Sequence, residues 1–124
     1  MNLKYYADAV NELATICRQE ADKWYRNPAT GELLPPLNVG ERFMLMVSEL
    51  AEGFEGVRKN LNDDRLPHRK SVEVELADAL IRILDFSGDH KLDVGGALVE
   101  KLEYNRKRKD HTAEERLKDN GKKF

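Results

Sequence analysis

Little in this sequence speaks for export, redox chemistry or a membrane. Only one of 124 residues is cysteine, so no intrachain disulfide can form. That residue, Cys17, sits beside Ile16 in an apolar stripe and reads as a buried thiol in a reducing compartment. Charges interrupt every apolar run, which excludes a signal peptide and a membrane span and leads to the expectation of a cytoplasmic protein. A charge imbalance is missing too. Twenty-three acidic and 21 basic residues leave a formal charge of -2, which is not the footprint of a general nucleic-acid binder. Arg106-Lys107-Arg108-Lys109 has no interleaved aromatics, so nucleic acid is not an expected partner. There is no Walker-type glycine-rich phosphate loop. Nor does any of the three histidines form the Glu-x-x-His element of a di-iron bundle.

What the chain does have is helical periodicity. Residues 41–58 and 71–87 carry apolar residues at intervals of three and four, with Leu50, Phe54 and Val57 marking one stripe and Leu76, Leu80, Ile83 and Leu84 the other. On or beside each stripe lie two carboxylates three residues apart, hence on one helix face: Glu49 with Glu52, and Glu75 with Asp78. Their neighbours are Met46, Leu50, Ala51, Leu76, Ala77 and Ala79, where an unpaired charge is destabilising. A shared cation resolves this, and an all-oxygen set suits Mg²⁺, with Mn²⁺ as a substitute. The competing reading is a salt-bridged surface in which Glu55, Arg58 and Arg82 enter the pairing. Hard cations commonly serve phosphate chemistry. The fourth helix offers a basic complement, since Lys101 and Asn105 share a face, with Arg108 about a turn further on.

The remaining elements follow from breakers and caps. A first helix is expected over 2–26, with Leu3, Tyr6, Val10, Leu13, Ile16 and Trp24 facing inward, ended by Asn27-Pro28. The loop NPATGELLPPLN should lay Leu33, Leu34 and Leu37 over the core or a partner subunit. A second helix begins near Asn38 and runs to about Asn60; the polar segment 60–70 is either a flap near the metal or a plain connection. Ser71 reads as the cap of the third helix, and Asp89 as the cap of a fourth over about His90–Lys107. Thr112 with Glu115 forms a capping box for a short helix, 113–119. The alternation in VEVEL is absorbed into the third helix. The expectation is one all-α domain, a four-helix bundle with a core over about 2–108 and a charged extension over 109–124.

These residues carry a family signature. SELAE, then 22 residues, then ELAD resembles the Glu-x-x-Glu … Glu-x-x-Asp pattern of the all-alpha nucleoside triphosphate pyrophosphatases, the MazG-like group, which includes phage and bacterial house-cleaning enzymes. KLEYNRKR resembles that group's Lys-x-x-x-Asn-x-x-Arg stretch. The likeness covers about 40–108 well and the first helix more loosely. It implies Mg²⁺-dependent hydrolysis of a nucleoside or deoxynucleoside triphosphate between the α and β phosphates, giving monophosphate and pyrophosphate. By the resemblance Glu49, Glu52, Glu75 and Asp78 are metal ligands and the catalytic set, with Glu52 the residue that orients or deprotonates the attacking water. Lys101, Asn105 and Arg108 match phosphate and substrate contacts. Gln19, Glu20, Lys23 and Trp24 are candidates for the base and sugar pocket, Trp24 either stacking on a base or packing in the core. Members assemble as dimers or tetramers. Ser48 stands where many members have a further glutamate, a departure that bears on the number of ions bound. The alternative is a non-catalytic helical oligomerisation or regulatory protein, with or without nucleotide binding.

Overall fold

A computed structural model describes residues 2–124. It contains the helices α1 (Leu3–Ala21), α2 (Val39–Lys59), α3 (Ser71–Asp89), α4 (Val94–Lys107) and α5 (Ala113–Leu117), with single 3-10 turns at Asp22–Tyr25 and Lys109–His111. No sheet forms among the described residues; two isolated bridges, Arg26 with Leu33 and Asn62 with Lys70, close loops. The fold is therefore all-α, and VEVEL lies inside α3. The chain divides into two compact units, Asn11–Leu92 and a smaller one made of residues 2–10 with Asp93–Phe124.

Several element ends depart from the expected ones. The first helix is α-helical only to Ala21 and tightens into the 3-10 turn before the Pro28 break. The fourth helix begins at Val94, not His90, because Lys91 adopts a left-handed φ of 53° and Asp93 caps it, Oδ1 accepting from Gly96 N at 2.8 Å. Asp89 instead closes α3 and is an ion-pair partner. Ser71 lies within α3, preceded by extended Lys70 with no side-chain cap. The last helix stops at Leu117, and only half of its capping box forms: Thr112 Oγ1 accepts from Glu115 N at 3.3 Å. Asn38 caps α2 as expected, accepting from Glu41 N at 2.8 Å.

In the larger unit α2 and α3 pack as an antiparallel pair. The buried residues of α2 are Arg42, Met46, Glu49, Gly53 and Gly56, spaced four, three, four and three apart, so they form one row. Opposite them, Arg42 meets Asp85 and Asp89, Glu49 meets Arg82, and a Cβ at Gly53 would lie 3.4 Å from that of Glu75. At Gly56 an added Cβ would fall 2.8 Å from Ser71 Oγ, closer than real contacts allow. Glycine at position 56 is thus a packing requirement, whereas a Cβ at position 53 would make an ordinary contact.

The stripes expected to form the core lie one residue away from this seam and face outward. Leu50, Phe54, Val57, Leu76, Leu80 and Ile83 are exposed, Phe54 to 67%, while Leu84 is half-buried. Likewise Tyr6, Leu13 and Ile16 of α1 are exposed, whereas Ala7 and Ala14 are buried. Cys17, expected to be buried, is partly accessible; partial burial and then the charge of Asp85 push its thiol pKa up. In the larger unit α1 touches α3 closely, since a Cβ at Gly88 would meet the Ala14 carbonyl oxygen at 2.8 Å. Leu33 and Leu34 are also exposed, and of the three loop leucines only Leu37 is half-buried.

Polar groups fix the open end of this unit. Arg42, with a side chain only 9% exposed, donates to Asp89 Oδ2 at 2.6 Å and Asp85 Oδ2 at 3.3 Å. Arg18 Nε lies 3.3 Å from Asp89 Oδ1, and Tyr25 Oη donates to Asp85 Oδ2 at 2.7 Å. Burial works to raise the Asp89 pKa, but the hydrogen bond and charge of Arg42, joined by Arg18, outweigh it and leave it lowered. Arg42→Met removes one of the two guanidiniums that face Asp85 and Asp89, leaving Arg18 alone against two carboxylates. It should destabilise the protein by about 3 kcal/mol or more, read as a shift in the denaturant midpoint, because breaking one side of a buried pair leaves an uncompensated charge. A change within about 0.5 kcal/mol, the size of an ordinary surface substitution, would show that the network does not hold the helices.

Candidate metal centre

The same packing that hides the α2–α3 seam gathers its carboxylates. Glu49, buried, and Glu52, exposed, stand three apart on α2; Glu75, half-buried, faces them from α3. One ligand atom from each lies within 4.8 Å of the others. Asp78, one turn beyond Glu75, is half-buried and is coupled electrostatically to Glu49 and Glu52, though it falls outside that tightest group.

The electrostatics show why the group wants a cation. Burial, then hydrogen bonding to Glu49 and the charge of Glu52, raises the Glu75 pKa from 4.5 to about 7. Its Oε2 is shut off from solvent with no protein donor. Asp78 is also raised, by burial first and then by the charge of Glu49; Arg82 opposes this, while Asp63 and Glu52 add to it. Three carboxylates with a buried, donorless oxygen fit a hard divalent cation: the donors are all oxygen, and a positive ion would replace the proton they otherwise share. These residues are thus able to hold such a cation.

Two charged neighbours adjoin this site. Arg82, a pairing partner in the salt-bridged alternative, does pair with one of the acids, its Nε 2.9 Å from Glu49 Oε1. Asp63 comes from the loop 60–70, whose ends are tied by backbone hydrogen bonds from Asp63 N to Arg69 O and Ser71 N to Leu61 O. Its Oδ2 accepts from Arg65 N and Leu66 N.

Beside the cluster opens a cleft of about 680 Å³, lined by Glu49, Asp78 and Arg82 and by Trp24, Tyr25 and Leu37, among others. Trp24 is 75% exposed on the 3-10 turn and so does not pack in the core of this chain. Tyr25 anchors that turn through Asp85. Gln19, Glu20 and Lys23 are exposed and do not line the cleft.

Lys101, Asn105 and Arg108 belong to the smaller unit. There Lys101 Nζ sits 4.6 Å from the Tyr104 ring centroid, and the Arg108 guanidinium 5.6 Å from it. Arg108 is paired with Asp110 by two hydrogen bonds, and Asn105 Oδ1 is buried without a donor. Comparison with protein-family models, with curated proteins and with solved structures found no match.

Because Glu75 binds its proton more tightly in the folded state, that proton's stabilisation is present in full below about pH 4.5 and is lost as pH rises through about 7. The melting temperature of the metal-free protein should therefore fall by a few degrees between about pH 5 and 8. Mg²⁺ should restore it at the upper end, and Glu75→Gln should flatten the fall. An identical pH profile for Glu75→Gln would remove Glu75 as the shared-proton site.

Proposed function

We propose that this chain is a Mg²⁺-dependent nucleoside triphosphate pyrophosphohydrolase of the all-alpha, MazG-like kind, acting as a homodimer or homotetramer. The observation that carries the reading is the half-buried Glu75 carboxyl, held against Glu49 and Glu52 beside a cleft with an exposed tryptophan. It is joined by the Glu-x-x-Glu … Glu-x-x-Asp spacing and the later Lys-Asn-Arg stretch.

Glu49, Glu52 and Glu75 would hold the ion, with Asp78 beside them. A divalent cation bound there supplies the Lewis acidity that phosphoryl transfer to water needs at neutral pH. Glu52, the solvent-exposed member of the three, accepts the proton of the attacking water at its carboxylate. Trp24 offers a flat apolar surface for a nucleobase, with Leu37 and Ile81 lining the same cleft. Lys101, Asn105 and Arg108 contact phosphates in this reading, on the strength of the resemblance alone.

The outward apolar row supports self-association. Phe43, Val47, Leu50, Phe54 and Val57 are contiguous along α2 and exposed, with Leu76 and Leu80 exposed on α3. Patches of this kind mark interfaces. The same row favours the second reading, a helical oligomerisation protein without catalysis, and substrate turnover separates the two.

Incubation with a panel of canonical and modified triphosphates plus Mg²⁺ should release pyrophosphate rather than orthophosphate. Glu52→Ala should lower the rate by at least about 100-fold, at or beyond the upper end of what loss of a metal-site partner costs, while keeping its helical circular dichroism. Near-wild-type turnover in that variant would refute the site, and orthophosphate as first product would refute the bond assignment. Light scattering should show a dimer or tetramer that Phe54→Glu shifts to monomer; a wild-type monomer would exclude the assembly.

A further inference from the structure

Arg82 is a cleft residue that lies outside the Glu-x-x-Glu … Glu-x-x-Asp pattern. Four carboxylates line the cleft, Glu41, Glu49, Asp78 and Asp85, against two guanidiniums, Arg42 and Arg82. The two arginines are not equivalent. Arg42 is buried and committed to Asp85 and Asp89, neither of which belongs to the metal cluster. Arg82 has a side chain 41% exposed, and its hydrogen-bonded partner is Glu49, a candidate metal ligand, at 2.9 Å. It also lies within electrostatic range of Asp78, one helical turn away on α3. A divalent ion and Arg82 would thus draw on the same carboxylate.

We propose that Arg82 is a built-in counter-ion of Glu49 that the entering divalent cation displaces, and that the freed guanidinium then binds an anionic oxygen of the ligand, a phosphate, in the same cleft. This rests on the metal-dependent nucleotide reading above and adds to it a coupling between metal and anion. Before exchange, the acidic lining outnumbers the basic and repels a polyanion. After exchange, the ion adds positive charge, and a planar fork suited to phosphate oxygens is released beside it. A part-exposed ion pair of this kind is weak, so a rotamer change suffices to open it. By linkage each ligand then strengthens the binding of the other.

The decisive signature is that removing Arg82 moves two affinities in opposite directions. In calorimetric titrations of the whole chain with Mn²⁺ alone, Arg82→Ala should bind the ion several-fold more tightly than wild type. At saturating Mg²⁺, the same variant should bind a non-hydrolysable nucleoside triphosphate analogue about tenfold more weakly, the loss of one charge-assisted contact. Arg82→Lys, which keeps the charge without the fork, should fall between, and it serves equally if the alanine variant does not fold. Unchanged or weakened Mn²⁺ binding overturns the counter-ion role, and unchanged analogue binding overturns the phosphate contact. The Mn²⁺ result stands whether or not any triphosphate is hydrolysed, so failure of the enzymatic reading and failure of this exchange are separately visible.

Discussion

The close approach of α2 and α3, tightest at Gly56, is the constraint on which the rest depends. Without a side chain at Gly56, α3 comes near enough for Ser71 to sit where an α2 side chain would otherwise be, and Glu75 Cβ lies within contact distance of where a Cβ on Gly53 would be. The gap is then too narrow for solvent to reach Glu49 fully or Glu75 Oε2 at all. Glu75, confined there beside Glu49 and Glu52, holds its proton more tightly than a free carboxyl does. With Arg82 the only cation paired to the three among the described residues, the group is receptive to an ion carrying more charge.

At the other end of the same helix pair the balance is reversed. Asp85 and Asp89 are paired with Arg18 and Arg42, and Tyr25 donates to Asp85. Burial, then the hydrogen bond to Asp85, raises the Tyr25 pKa, so the phenol stays protonated as a donor. This network is spent on structure: it ties the 3-10 turn to α3 and so sets the position of Trp24 at the cleft. One end of the seam is charge-satisfied and rigidifying; the other is short of positive charge and available.

Helix content and most boundaries were legible, because helical periodicity, the Asn38 cap and the Pro28 break are local signals. Asp78 falls outside the cluster, but the gathering of Glu49, Glu52 and Glu75 was legible too, from their paired spacing. The packing face was not. Hydrophobic periodicity selects the row 50, 54, 57, whereas the buried row 42, 46, 49, 53, 56 contains one large apolar residue, Met46, among charges and glycines. The usable clue was that Gly53 and Gly56 fall in line with Glu49, since mid-helix glycines need a reason. The ion pair of Arg82 with one of the acids was legible as the salt-bridged alternative, and Glu49 is the acid it takes. Asp63 was not, because its charge acts on Asp78 from a loop whose closure depends on its own hydrogen bonds. The fourth helix was started early because Asp89 resembles a cap, and only the tertiary pairing with Arg42 shows where its carboxylate is used.

The most direct measurement is a calorimetric titration of the chain with Mn²⁺ near pH 7, repeated in buffers of different ionisation enthalpy to count protons released. If the seam carboxylates share a proton that the ion replaces, binding is specific and saturable and expels part of a proton. That release should vanish in Glu75→Gln. Binding no stronger than in a chain with Glu49, Glu52 and Glu75 all changed to glutamine, with no buffer dependence, would contradict it and leave only a pair of packed helices with acidic side chains.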